Sequence, residues 1–171
     1  METRSLLPRR RIFVSHHHEG DQQYYDHFHV LFDETFGVIC DRSVDRLFDT
    51  DDPEYVMRRI REKYIKGTSC TVVLCGADSW RRKYIDWEIC ATLNQGGGLI
   101  GINLPTNPLT EDGKFVVPSR LHVNIQSGYA GWHQWSDLLQ SPVALNAWIE
   151  AALTRSQSLI DNSQPTMRRN V

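Results

Sequence analysis

No apolar run in this sequence approaches the roughly 18 residues that a membrane-spanning helix needs, so no such helix is expected. The first eleven residues carry Arg4, Arg9, Arg10 and Arg11 around a single apolar pair, Leu6 and Leu7. That is far short of the about 7 to 15 apolar residues at the centre of a secretory signal, and the chain is expected in the cytosol. A formal charge of -2 gives no bulk attraction to nucleic acid or to a membrane surface, and neither is expected as a partner. The four cysteines, Cys40, Cys70, Cys75 and Cys90, lack the C-x-x-C spacing of a zinc or redox site and read as reduced core thiols. Phosphate-loop, H-E-x-x-H and serine-triad patterns are absent, as is any internal repeat.

What is present is an alternation of strand and helix signals over 171 residues, a length that suits one domain. A basic extension (1–10), a domain (11–158) and a polar, disordered tail (159–171, fraying from about Arg155) describe the expected organisation. Arg11 to Ser15 and Ser69 to Cys75 are short, continuous apolar runs that read as strands covered on both faces. Residues 38–40 and 98–104 add two more strands, and Leu121 to Ile125 alternates as a half-covered one. Helical spacing predicts helices over 21–36, capped by Asp21, over 53–66 behind Pro53, over 79–95, and from Ser141 through Trp148 and Ala152. The acidic, turn-rich segment DRSVDRLFDTDDP after Cys40 is a candidate functional loop.

Such an order implies a single doubly wound, flavodoxin-like α/β domain with a mainly parallel sheet flanked by helices. Its ligand crevice opens at the carboxyl ends of the first and third strands, which places Ser15 to Gly20 and Gly76 to Ser79 there. On the helix 79–95, Asp86 has Arg82 and Lys83 one turn back and reads as a solvated ion-pair residue. Glu88 has Tyr84, Ile85, Ala91 and Thr92 at those positions, none of them basic, and borders the apolar stripe. A carboxylate facing apolar groups points to use, although a half-exposed surface glutamate fits the pattern equally well. Arg81, Arg82 and Lys83 stand where the helix dipole disfavours cations; a bound diphosphate or plain solvated pairing with Asp86 are both open. His16, His17 and His18 are adjacent on an extended chain and point apart, so no metal site is expected from them.

Three stretches taken in order, RIFVSHHHEGDQQ, IREKYIKGTSCTVVLCGADSWRRKYIDWEI and LIGINLP, resemble the Thoeris anti-phage ThsB family and its TIR-like relatives. The resemblance covers roughly residues 11–105. It implies that Glu88 is the catalytic glutamate carried on the helix after the third strand, with Trp87 beside it. In the common TIR pattern the tryptophan stands a full turn earlier, which leaves the role of Trp87 open. The resemblance further implies NAD as substrate with no cofactor, release of nicotinamide, and an ADP-ribose-derived, cyclic signal that activates a separate effector. A phage-derived trigger and a homo-oligomer in the active state are implied as well. Ser15, His16, Asp78, Ser79, Trp80, Tyr84 and Trp87 are the expected substrate-binding residues around Glu88. Cleavage next to an already cationic pyridinium needs no Lewis acid, so no metal is expected. Two alternatives stand beside this one: a TIR scaffold without chemistry, and a nucleoside deoxyribosyltransferase-like enzyme. Trp132 and Trp135 read as core or edge packing.

Overall fold

Residues 9–40 and 52–171 are described by the computed structural model of the chain. Five strands form one sheet: β1 (Arg11–Ser15), β2 (Gly37–Cys40), β3 (Cys70–Cys75), β4 (Gly98–Asn103) and β5 (Gly131–Gln134). Every pairing is parallel and the order is β2-β1-β3-β4-β5. This is the flavodoxin-like order, and it reverses direction between β1 and β3.

β3 and β4 are buried along their whole length because helices cover both faces. Ile12, Val14, Val72, Leu74, Ile100 and Ile102 point to one face and meet α1 (His18–Phe32) and α6 (Ala144–Thr154) through Phe28, Phe32, Leu145 and Ile149. Successive strand side chains alternate in direction. The opposite face therefore presents Phe13, Val73, Cys75 and Leu99 to α2 (Pro53–Ile60), α3 (Lys83–Gln95) and α4 (Ser119–Gln126). Asp52 caps α2, its Oδ1 accepting from the amide of Glu54 at 3.1 Å, and Pro53 takes the first position as expected. A π-helical turn, Arg61–Ile65, prolongs α2 to the end expected for it. The three buried cysteines are free thiols, and burial pushes Cys70 up to about 12 and Cys75 higher still, so both stay protonated and inert.

The structure departs from the sequence reading in five places. α1 begins at His18 and ends at Phe32, and Asp21 lies inside its first turn rather than capping it. The third helix is split: Ser79–Arg81 form a 3-10 turn, Arg82 is extended, and α3 starts at Lys83. Leu121 to Ile125 is not a strand but the middle of α4, because Arg120, Leu121 and Asn124 are buried at helical spacing. β5 and the short α5 (Trp135–Gln140) fall where no element was expected. Finally, the polar residues beyond Arg155 lie against α3 and α4 in defined hydrogen bonds: Asn124 donates to the carbonyl of Asp161 at 2.7 Å, and Trp87 to that of Met167 at 2.7 Å. The candidate loop after Cys40 lies outside the described residues except for Asp52 and Pro53, which open α2.

Candidate active site

The chain leaves β1 at Ser15 toward one face of the sheet and leaves β3 at Cys75 toward the other, so the two connections diverge and leave a gap between them. Into that gap project His16 and His17 before α1, His18 and Glu19 in its first turn, Arg82 just before α3, and Tyr84, Ile85 and Glu88 on α3. Together with Asn170 they line a small, partly open cleft of about 200 Å³.

Position on α3 explains why Glu88 is buried. Ile85 to Leu93 are buried without a break, because the sheet, α2, α4 and the carboxyl-terminal segment surround the helix. A hydrogen bond of 2.7 Å between the hydroxyls of Thr71 and Thr92 fastens α3 to β3, and Thr92 also bonds the carbonyl of Glu88 at 2.9 Å. Glu88 is 5% exposed and turned to the cleft. Gly96, in the left-handed conformation at φ 71°, ends the helix.

His16 lines the same cleft and is 4% exposed. Its ring stacks on Tyr25 at 4.7 Å, and its Nε2 meets Gln22 Oε1 at 3.0 Å while Gln22 donates to Asp26. Burial lowers its pKa to about 4, so the imidazole is neutral at pH 7. Burial lowers His17 too, helped by the nearby Arg82 charge, and raises Asp21, whose Oδ1 accepts from the Thr106 hydroxyl at 2.9 Å. Ser15 Oγ, His16 Nδ1, Asp21 Oδ2 and Arg82 Nε are buried polar atoms without a hydrogen-bond partner among the described residues. All four lie along the carboxyl edge of β1 and β3. Buried polar atoms are normally satisfied, so this clustering marks the edge as a place where a solvent or ligand group belongs.

The remaining expected residues sit elsewhere. Ser15 is buried at the end of β1 behind the cleft. Ser79 closes the turn after β3, accepting from the Gly76 amide at 2.8 Å and donating to the Leu74 carbonyl. Asp78 pairs with Arg81 at 3.4 Å, and Trp80 is exposed beneath the Arg81 guanidinium. Trp87 faces away into the cluster of Phe13, Val56 and Ile60, so it supports α3 without reaching the cleft. Asp86 requires a correction: it is 6% exposed and bonds Arg120 Nε at 2.8 Å and the Met167 amide at 2.9 Å, not Arg82 or Lys83. Its partner stands 34 residues further along and no helical spacing foretells it. Sequence reasoning left Arg82 undecided among three adjacent cations and missed Asn170 on the cleft wall, since the polar tail beyond about Arg155 reads as frayed.

A five-stranded parallel sheet in this order with helices on both faces is the architecture of a flavodoxin-like, TIR-like α/β domain. Residues 13–108, just over half the chain, match the family model described as Thoeris protein ThsB, TIR-like domain. The chain belongs to that family, and with it to the proteins of Thoeris defence. No curated protein matches the chain. Among the described residues no helix is long and apolar enough to cross a membrane.

Proposed function

We propose that the protein is an NAD-cleaving enzyme of anti-phage defence in which Glu88 is the catalytic carboxylate. The observation that carries this reading is a glutamate 5% exposed yet facing a cleft at the sheet's switch point. In the reaction the bond between the ribose C1′ and the nicotinamide nitrogen breaks, and its electron pair leaves with nicotinamide, which becomes neutral. The ribose is left as an oxocarbenium-like centre, whose positive charge the largely buried Glu88 carboxylate stabilises at close range. A hydroxyl, from water or from the ADP-ribose itself, then adds to C1′ and loses its proton. Addition of the molecule's own hydroxyl gives a cyclic product, and such a diffusible signal suits a separate effector protein. Phage infection is the trigger, and the active form is a homo-oligomer.

Nicotinamide release from NAD, followed with purified protein with and without lysate of phage-infected cells, tests the reading. Glu88→Gln keeps the shape and removes the charge. It is expected to fold normally and to lose about 100-fold to 1,000-fold in rate, the loss of one such electrostatic contact. Turnover within about threefold of the parent would remove Glu88 from the chemistry. A parent protein silent under both conditions would leave a scaffold role.

A further inference from the structure

Three consecutive cations, Arg81, Arg82 and Lys83, lead into α3, and the structure separates them. The Arg81 guanidinium is occupied by Asp78 at 3.4 Å and by the Val171 carbonyl at 2.8 Å. The Lys83 ammonium lies over the rings of Tyr84 and Trp87 at 5.3 and 5.4 Å. Arg82 alone of the three lines the cleft, and its Nε is buried with no hydrogen-bond partner among the described residues. The contrast with Arg120 is instructive. That guanidinium is 1% exposed and bonds Asp86, Asn162 and the Pro165 carbonyl. A buried N–H with nothing to donate to is costly, and an acceptor entering the cleft removes the cost.

We propose that Arg82 makes one end of this cleft a phosphate-binding subsite, which holds the diphosphate of the substrate while the nicotinamide ribose reaches Glu88. The second half of this statement rests on the NAD reading; the first does not. Arg82 has extended backbone, φ −101° and ψ 117°, and does not cap the helix with its side chain. The positive end of the 13-residue α3 therefore adds to its charge. Asp86, the carboxylate of that first turn, is turned away to Arg120 and does not compete. Of the cleft's other acidic groups, Glu19 is exposed at the rim and Glu88 lies six residues along the helix, about 9 Å by helical rise. A ribose carrying a 5′-phosphate bridges such a gap. Asn170, whose Oδ1 accepts from the Lys83 amide at 2.9 Å, forms the wall beside the subsite.

Titration with inorganic pyrophosphate, followed by amide shifts of His17, Tyr84 and Ile85, tests the subsite without any turnover. Saturable shifts are expected, with affinity at least tenfold weaker in Arg82→Gln and partly restored in Arg82→Lys. With NAD, Arg82→Gln should raise KM tenfold or more and leave kcat within threefold. Nicotinamide riboside, which has the same scissile bond and no phosphate, should be cleaved equally by both. Pyrophosphate that leaves those amides unmoved, or binds Arg82→Gln as tightly as the parent, overturns the subsite even if NAD is cleaved. Arg82-dependent pyrophosphate binding without NAD cleavage keeps the subsite and removes the glycosidic reading.

Discussion

At the residue scale, His16 links the cleft to the stability of the fold. The unfolded chain protonates this imidazole near pH 6.5, whereas burial in the folded chain holds it near pH 4. Between those values the unfolded state binds the extra proton, so stability rises with pH across the window. The contribution is complete above about pH 6.5 and is lost as the pH falls toward 4. At pH 5 the loss amounts to about 2 kcal/mol. His17 and His133, both lowered by burial, act in the same sense, and Asp21, raised by burial, acts against it. The expected outcome is that denaturant unfolding at pH 7.5 and 5.0 separates the parent from His16→Phe. The variant, which keeps a ring on Tyr25, should lose about 2 kcal/mol less on acidification. Equal losses would mean that His16 titrates normally in the folded protein.

At the element scale, the ion pair between α3 and α4 is the clearest difference between what the sequence suggests and what the fold does. Removing one partner of a buried pair leaves the other charge stranded, which costs about 3 to 5 kcal/mol. Asp86→Asn should therefore lower stability by about that amount, because it strands Arg120 and weakens the Met167 contact. Chemical denaturation checks it, and a change below about 1 kcal/mol would return Asp86 to the role of a solvated surface residue. The strands β1, β3 and β4 were legible because buried parallel strands are written as continuous apolar runs. β5, four residues GWHQ at the edge of the sheet, carries no such run and was not. LHVNI in α4 satisfies alternation and helical spacing alike, and only contact with Asp86 and the carboxyl-terminal segment decides between them. Of the cleft, Glu88 and the β1 end were readable from local spacing and resemblance. Arg82 was legible only as one of three candidate cations, and Asn170 was not legible at all, since a polar composition says nothing of specific long-range hydrogen bonds.

At the scale of the whole molecule, three connections at the carboxyl edge of the sheet meet on one carboxylate. Asp21 stands in the first turn of α1, accepts from Thr106 beyond β4, and packs against Gly76 at the end of β3. The turn at Gly76 does not use a positive φ, so glycine is needed there for space: a Cβ would land on the Asp21 carboxylate. Gly76→Ala should accordingly push the start of α1 away from β3, costing about 1 to 3 kcal/mol as an overpacked site does. Asp21→Ala removes the obstacle and forfeits mainly the Thr106 bond, about 1 kcal/mol. In that background Gly76→Ala should cost well under 1 kcal/mol, so the double variant is more stable than the sum of the two losses allows. A denaturation cycle over the four proteins measures the coupling, expected at about 1 to 2 kcal/mol. Strict additivity would mean that the start of α1 accommodates the new methyl without strain, and that Asp21 does not hold α1 against the end of β3.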